Sequence, residues 1–394
     1  MRKLLFLASR FPYPPIGGDR LKNYNLLKIL SKYFEVYLVV ITFEDVKPED
    51  IAEIKKYVKQ LFVFRYNKFF RYFAVLKSFF NKLPIQVNLY YFAKVAKFIN
   101  AIVGKNEFSM IWATLIRTAH YVIKINKIKI LDIADSIGQN YTRSIKTTKS
   151  FVWKLVYFFE AKRLLEYEKE CVKRFDKSLF FNKHEAVYYR NQLKVAWIPH
   201  GVNEKLFLYE KVDDKYSKYI AFFGKMDYQP NIDAVLWFVE NVFPKINKDL
   251  KFIIVGANPS RRVLKLSNKF PNVEVTGFVK DPYKILKACL CIVAPMQTGG
   301  GIQNKILETM ALGTINIVSS LAAKPIMGVN SVDFFVVDEP EKIASLINRI
   351  YERPERFNYI KKNARDFVRK NFTWSIYEYE VIKIINEVLG YDKS

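Results

Sequence analysis

The chemistry in this sequence concentrates in Thr298-Gly-Gly-Gly-Ile-Gln-Asn-Lys-Ile-Leu-Glu-Thr-Met-Ala-Leu-Gly313, set between the apolar runs Leu290–Ala294 and Ile315–Ser319. It reads as a strand end, a loop of Gly299, Gly300 and Gly301, a helix beginning near Gln303, and a glycine stop. Three glycines let backbone approach a ligand closely and take positive φ without penalty. The helix start that follows offers unpaired N–H groups and a positive dipole end, which suits phosphate. Lys305 adds a cation, and Glu308, one turn further in, suits the paired hydroxyls of a ribose. The competing reading is a plain strand-turn-helix, because a glycine-rich turn alone is a weak signal.

Three further groups lie at expected strand ends. Lys225, in Gly224-Lys-Met226, follows a strand at the same carboxyl edge and could converge with Lys305 on a diphosphate, or be a solvated loop lysine. Asp135 closes the strand Ile128–Ile133 and should point into a ligand cleft, or serve as a helix N-cap. Gly17 and Gly18 follow the first strand, where open α/β sheets bind ligands, but lack dinucleotide-fingerprint spacing and could serve turn geometry alone. Other chemistries find little support. His120, His184 and His200 are scattered, and the sequence has no Asp-x-Asp pair, no Gly-Lys-Ser/Thr loop and no nucleophile elbow.

The elements needed to position these groups alternate along the chain. Strands are expected at Lys3–Ser9, Phe34–Ile41, Leu61–Phe64, Met110–Ala113, Ile128–Ile133, Ser178–Phe181 and Val195–Ile198, with helical periodicity between them. A polar linker surrounds Pro199–Asn203 and Glu210–Lys218. The pattern then restarts at Tyr219–Phe223, Phe252–Val255, Val273–Thr276, Leu290–Ala294, Ile315–Ser319 and Phe334–Val337. Alternation of this kind predicts two doubly wound parallel α/β sheets in tandem, facing a central cleft. The expected domains are residues 1–203, residues 204–374, and a C-terminal amphipathic helix within 375–394.

Composition sets outer bounds. A chain of 394 residues, 51% hydrophobic and 16% aromatic, can build two sizeable cores. No apolar run reaches the length of a membrane span, so a cytoplasmic protein is expected. Cys171, Cys289 and Cys291 have no metal-ligand spacing, and core packing is the better reading. The net charge of +26 points to an anionic partner or to a lysine-rich proteome. No acidic residue occurs between Glu53 and Glu107, a gap that an even bias would not produce. Within residues 65–100, Phe69, Phe70, Phe73, Leu76, Phe79 and Phe80 follow helical spacing among lysines and arginines. Such a helix can lie on an anionic membrane, possess an aromatic core stripe, or bind single-stranded nucleic acid. With no recognisable nucleic-acid module, a nucleic-acid partner is not expected.

With these residues in view, nearly the whole chain resembles the retaining GT-B glycosyltransferases of family 4, the "glycosyl transferases group 1" type. Gly299–Gly313 looks like that family's glycine loop and Glu-Ala-Met-Ala-x-Gly helix. Phe11–Gly18, Ile198–Asn203, Phe223–Asn231 and Gly277–Asp281 are supporting matches. The resemblance implies a UDP- or GDP-linked sugar held by the C-terminal half, with no other cofactor, and a glycan or lipid-linked acceptor held by the N-terminal half. It implies that Glu308 takes the ribose hydroxyls, while backbone at Gly301, Ile302 and the helix start (Gln303, Asn304) meets diphosphate and sugar. It also places Gly277, Phe278 and Val279 at the nucleobase, and Gly17 and Gly18 beside the diphosphate. The family's usual first Glu is Gly300 here, its usual Arg is Lys225 and its usual Lys is Pro230. The expectation is therefore that Lys305 supplies the missing cation. The implied activity is hexosyl transfer in bacterial surface polysaccharide or glycolipid assembly. A nucleotide-sugar 2-epimerase of the same fold and a non-catalytic binding or membrane scaffold are the alternatives.

Overall fold

A computed structural model describes residues 1–148, 151–189, 194–299 and 301–391. The chain divides into two compact units, Met1–Ile198 with Tyr377–Ser394, and Pro199–Ile376. The first division thus follows Ile198, where the sequence suggested Asn203.

The first unit is a seven-stranded parallel sheet. Its strands are β1 (Arg2–Ala8), β2 (Phe34–Thr42), β3 (Gln60–Arg65), β4 (Phe108–Thr114), β5 (Lys129–Ala134), β6 (Lys177–Phe180) and β7 (Val195–Trp197). They lie in the order β3-β2-β1-β4-β5-β6-β7. Leu4 through Ala8 form an unbroken apolar run buried on both faces, the signature of a central parallel strand covered by helices. The helices used below are α1 (Gly18–Leu30), α2 (Phe70–Phe80), α3 (Ile137–Thr147) and α4 (Phe151–Arg174). Gly17 caps α1 at φ 101°, in the left-handed region that favours glycine. Beneath α1, Lys22 Nζ lies 3.0 Å from Asp132 Oδ1 on β5, with both side chains almost completely buried. The C-terminal helix Trp374–Leu389 docks here from Tyr377 onward. Tyr377 and Val381 are buried, Glu378 receives Lys32 at 2.7 Å, and Glu387 receives Lys177 at 2.5 Å.

The second unit is a six-stranded sheet of β8 (Tyr219–Phe223), β9 (Lys251–Val255), β10 (Val273–Gly277), β11 (Cys291–Ala294), β12 (Asn316–Val318) and β13 (Phe335–Val336). Its order is β10-β9-β8-β11-β12-β13, and every pairing is parallel. Helices α5 (Gln229–Asn241), α6 (Tyr283–Ala288), α7 (Asn304–Ala311) and α8 (Asn358–Asn371) position the residues discussed below. The doubly wound topology is therefore as expected in both halves. Each sheet reverses strand order once, between β1 and β4 and between β8 and β11, and such a switch point opens a crevice at the carboxyl ends. Gly17 and Gly18 follow β1. Lys225 follows β8, and the glycine loop follows β11. All three cysteines are buried in their cores.

Candidate functional site

In the second unit the loops after β8 and β11 are packed against each other. Gly224 N donates to Val255 O at 3.0 Å and Met226 N to Ala257 O at 2.8 Å. This seats the β8 loop on the β9 loop so closely that a Cβ on Gly256 would lie 1.7 Å from Gly224 O. Gly299, at φ 88°, sits against Pro230 and Tyr228 at the start of α5, which places the glycine loop beside Lys225–Pro230. Gly300 lies outside the described residues. Gln303 flanks α7, yet its side chain turns back to donate to Gly301 O at 3.1 Å and leaves the helix start without a side-chain cap. Backbone donors of the first turn are consequently open to a ligand. Ile302 packs on the core and anchors the loop from below.

The charged residues here are not equivalent. The Lys225 side chain is 47% exposed at the loop tip, with Asp227 Oδ2 at 3.6 Å. Lys305 points inward instead: its ammonium donates to Asn231 Oδ1, meets Met296 Sδ at 3.5 Å and lies 4.6 Å from the Phe222 ring centroid. Burial pushes its pKa down to about 7. Asn231 is the link between the two lysines, because its amide also donates to Lys225 O at 2.8 Å. Glu308 accepts from Tyr283 OH at 3.3 Å, and burial pushes its carboxyl up to about 7. The site thus holds an amine and an acid that both change charge near neutrality.

Sequence reasoning assigned no role at this loop to Asn231, Tyr283 or His200. His200 is buried; its Nδ1 lies 2.8 Å from Gly201 O and its Nε2 lies 3.4 Å from Asn304 Nδ2 at the first residue of α7. Those contacts fit a tautomer that donates from Nδ1 and accepts from the asparagine amide at Nε2. The Pro199-His-Gly-Val-Asn203 segment was the available signal. Gly277 sits at φ 68° with open space around its Cβ position, Phe278 is 73% exposed, and Val279 packs against the core. All three lie at the carboxyl end of β10, an edge strand of the sheet.

The first unit carries the remaining candidates. Gly17 and Gly18 are exposed at the head of α1, where Asp19 pairs with Arg10 at 3.1 Å. Asp135 is not the helix cap: Ser136 caps α3, its Oγ accepting from Gln139 N at 3.1 Å. Asp135 instead stands beside Glu185, whose carboxyl is raised to about 7 by burial and by the Asp135 charge. Arg143 reaches the same Glu185 at 2.5 Å.

A second feature of this unit concerns surface. Phe69, Phe70, Tyr72, Phe73, Leu76 and Phe80 are exposed along α2, Phe80 to 89%, so the expected aromatic stripe is not core. The side chain of Phe79 lies outside the described set. The first turns of α4 expose Phe151, Val152, Trp153, Leu155, Phe158 and Phe159 as well. The two helices are joined by Arg163, whose Nη1 donates to Ser78 O at 3.0 Å. Among the described residues, no helix is long and apolar enough to cross a membrane.

Residues 217–353 match the family model described as Glycosyl transferases group 1. Over its length the chain is similar to an uncharacterized 44.6 kDa protein in the cps region of Klebsiella pneumoniae, with 23% identity over 94% of this chain and 97% of that one. Among solved structures it resembles HepE from Anabaena in complex with UDP, with a TM-score of 0.68, 14% identity and coverage of 98% and 100% of the two chains. HepE has also been solved with UDP-glucose. Sucrose-phosphate synthase from Thermosynechococcus elongatus gives a TM-score of 0.74 at 15% identity, covering 99% and 100%.

Proposed function

We propose that the chain is a glycosyltransferase that moves a hexose from a nucleotide diphosphate to an acceptor hydroxyl with retention at the anomeric carbon; the match of residues 217–353 to the Glycosyl transferases group 1 model and the two-sheet fold shared with HepE and sucrose-phosphate synthase support this reading. The observation that carries this reading is the uncapped start of α7 behind the glycine loop, with Lys225 on the adjoining loop and Glu308 one turn inside. The departing diphosphate gains negative charge as the glycosidic bond breaks. Backbone amides from Gly301 to Asn304, together with Lys225, meet that charge directly. Lys305 supports it from beneath through Asn231. Preorganised donors of this kind typically contribute several kcal/mol each to lowering a barrier.

Glu308, when ionised, accepts the ribose hydroxyls, and Gly277, Phe278 and Val279 border the base. A UDP-linked donor is favoured by the likeness to HepE. The acceptor belongs to the first unit, with Gly17 and Gly18 at its switch point, and Asp135 or the departing phosphate takes the hydroxyl proton. The cps-region relative supports a place in surface polysaccharide or glycolipid assembly. The exposed aromatics of α2 and α4, flanked by Lys68, Lys77, Lys82, Lys154 and Lys162, fit an anionic membrane surface at which a lipid-linked acceptor would be met.

Nucleotide release from candidate UDP- and GDP-sugars, with and without glycan or lipid-linked acceptors, tests the reading. Release that requires acceptor, with the product anomer matching the donor by NMR, is the expected result. Sugar rearrangement without acceptor would establish an epimerase, and tight binding with neither reaction a scaffold.

A further inference from the structure

A cavity of about 780 Å³ opens at the amino edge of the second sheet, the edge opposite the glycine loop. Lys218, Leu290 and Ile315 line it, each the residue immediately before the start of β8, β11 or β12. Its volume is in the range of small-molecule sites. Its walls are unusually basic. Lys218, Lys287, Lys361, Lys362, Arg365 and Arg369 line it against one acid, Asp366, which already has Arg369 at 3.9 Å.

Two observations separate this from a general lysine bias. Lys361, Arg365 and Arg369 recur every fourth residue along α8, so three cations share one helix face, an arrangement that opposes helix formation rather than assisting it. In addition, Lys287 and Arg365 repel one another. Burial and then the Arg365 charge hold the Lys287 ammonium below its ordinary range. Lys287 turns to Tyr209 O and Arg365 Nη2 to Leu312 O at 3.2 Å, while the buried Arg365 Nε has no hydrogen-bond partner. A cluster of mutually repelling cations around a space of ligand size is complementary to a multiply charged anion.

We propose that this cavity is a second anion site, for a ligand bearing two or more phosphoryl groups. Arginine forks and mobile lysines suit phosphoryl oxygens, and the cavity is too large for a single phosphate to span its walls. The site is separate from the donor site, because the cavity lies at the opposite edge of the sheet from the glycine loop.

The test is calorimetric titration of the full chain with inorganic tripolyphosphate, in parallel with flotation on cardiolipin vesicles, whose headgroup carries two phosphoryl groups. Three proteins are compared: wild type, Lys361→Gln/Lys362→Gln/Arg369→Gln, and Lys225→Gln. The triple variant keeps Arg365 and its bond to Leu312 O. Its thermal midpoint should stay close to wild type, because the repulsion relieved along α8 offsets the lost contacts of Arg369 with Asp366 and the Phe207 ring. With the donor site filled by saturating UDP, tripolyphosphate should bind wild type and Lys225→Gln alike and bind the triple variant at least tenfold more weakly. Vesicle binding lost in the triple variant, without tripolyphosphate binding in any protein, would identify a lipid headgroup as the source of the phosphoryl groups. Binding lost only in Lys225→Gln, binding indifferent to the triple change, or no binding of either probe would overturn the proposal.

Discussion

Asn231→Ala removes one side chain that serves both lysines of the donor site. Its Oδ1 accepts from the Lys305 ammonium, and its Nδ2 donates to Lys225 O at 2.8 Å. A hydrogen bond to a charged group typically contributes about 1.5–3 kcal/mol and a neutral one about 1 kcal/mol, so about 2.5–4 kcal/mol rests on this residue. At about 1.4 kcal/mol per factor of ten, that corresponds to roughly two to three powers of ten. Part of the loss falls on folding, because Lys305 is left half-buried without this acceptor. The expected fall in kcat/KM for the donor is therefore roughly a hundredfold. The pH profile gives a second readout. Lys305 is protonated only below about 7, so activity that needs its charge is lost as pH rises through that value. Asn231→Ala should move this alkaline limb down. Asn231→Asp, which puts a carboxylate against the ammonium, should move it up. Unchanged kcat/KM and an unmoved limb in both variants would refute the idea that Asn231 and Lys305 support the diphosphate.

Glu308→Gln should weaken donor affinity above pH 7 and flatten the acidic limb, because the wild-type carboxyl, raised to about 7 by burial, loses its charge as pH falls; pH-resolved UDP titrations check this. Gly256→Ala would drive a Cβ to 1.7 Å from Gly224 O, and the loss of several kcal/mol should appear as a lowered thermal midpoint together with weakened UDP binding. Asp132→Asn leaves Lys22 buried without its counter-charge and should cost about 3–5 kcal/mol in denaturant unfolding. The double change Lys22→Met/Asp132→Leu should be close to neutral.

The thirteen strands among the described residues were legible in the sequence because each is a short apolar run bounded by turn residues, and each expected run overlaps an observed strand. The helix expected to begin near Gln303 starts one residue later, at Asn304. What escaped depends on side-chain direction across sequence distance. Lys305 was expected to meet phosphate directly, yet it turns toward Asn231, 74 residues earlier, because Phe222 and Met296 offer its stem an apolar bed and its ammonium one acceptor. Asp135 read either as a cleft residue or as a cap, and the turn through Ala134 at φ 65° passes the cap to Ser136. Lys22 and Asp132 are ordinary surface residue types, and nothing in their local sequence announces a buried pair. The exposed start of α4 read simply as helix, since periodicity does not say whether a partner covers the apolar face.

The net charge is distributed in a way that separates two kinds of anion binding. Asp132, Glu160, Glu168 and Glu185 are buried in the first unit, where Asp132 pairs with Lys22 and the glutamates accept from internal donors. Burial raises the pKa of the three glutamates of that unit. Its cations stand among exposed aromatics, whereas those of the second-unit cavity line one enclosing pocket. At about 1 M salt the screening length shrinks to about 3 Å, which suppresses both electrostatic attractions. Insertion of Phe73, Phe80 and Trp153 into lipid is not screened, and each ring moved out of water contributes up to about 1.5–3 kcal/mol. Tripolyphosphate binding should therefore vanish in 1 M salt while a fraction of the protein still floats with anionic vesicles. That residue should disappear in Phe73→Ser/Phe80→Ser/Trp153→Ser. Vesicle association that salt abolishes completely, or that the triple aromatic change leaves intact, would show that these rings do not enter the bilayer.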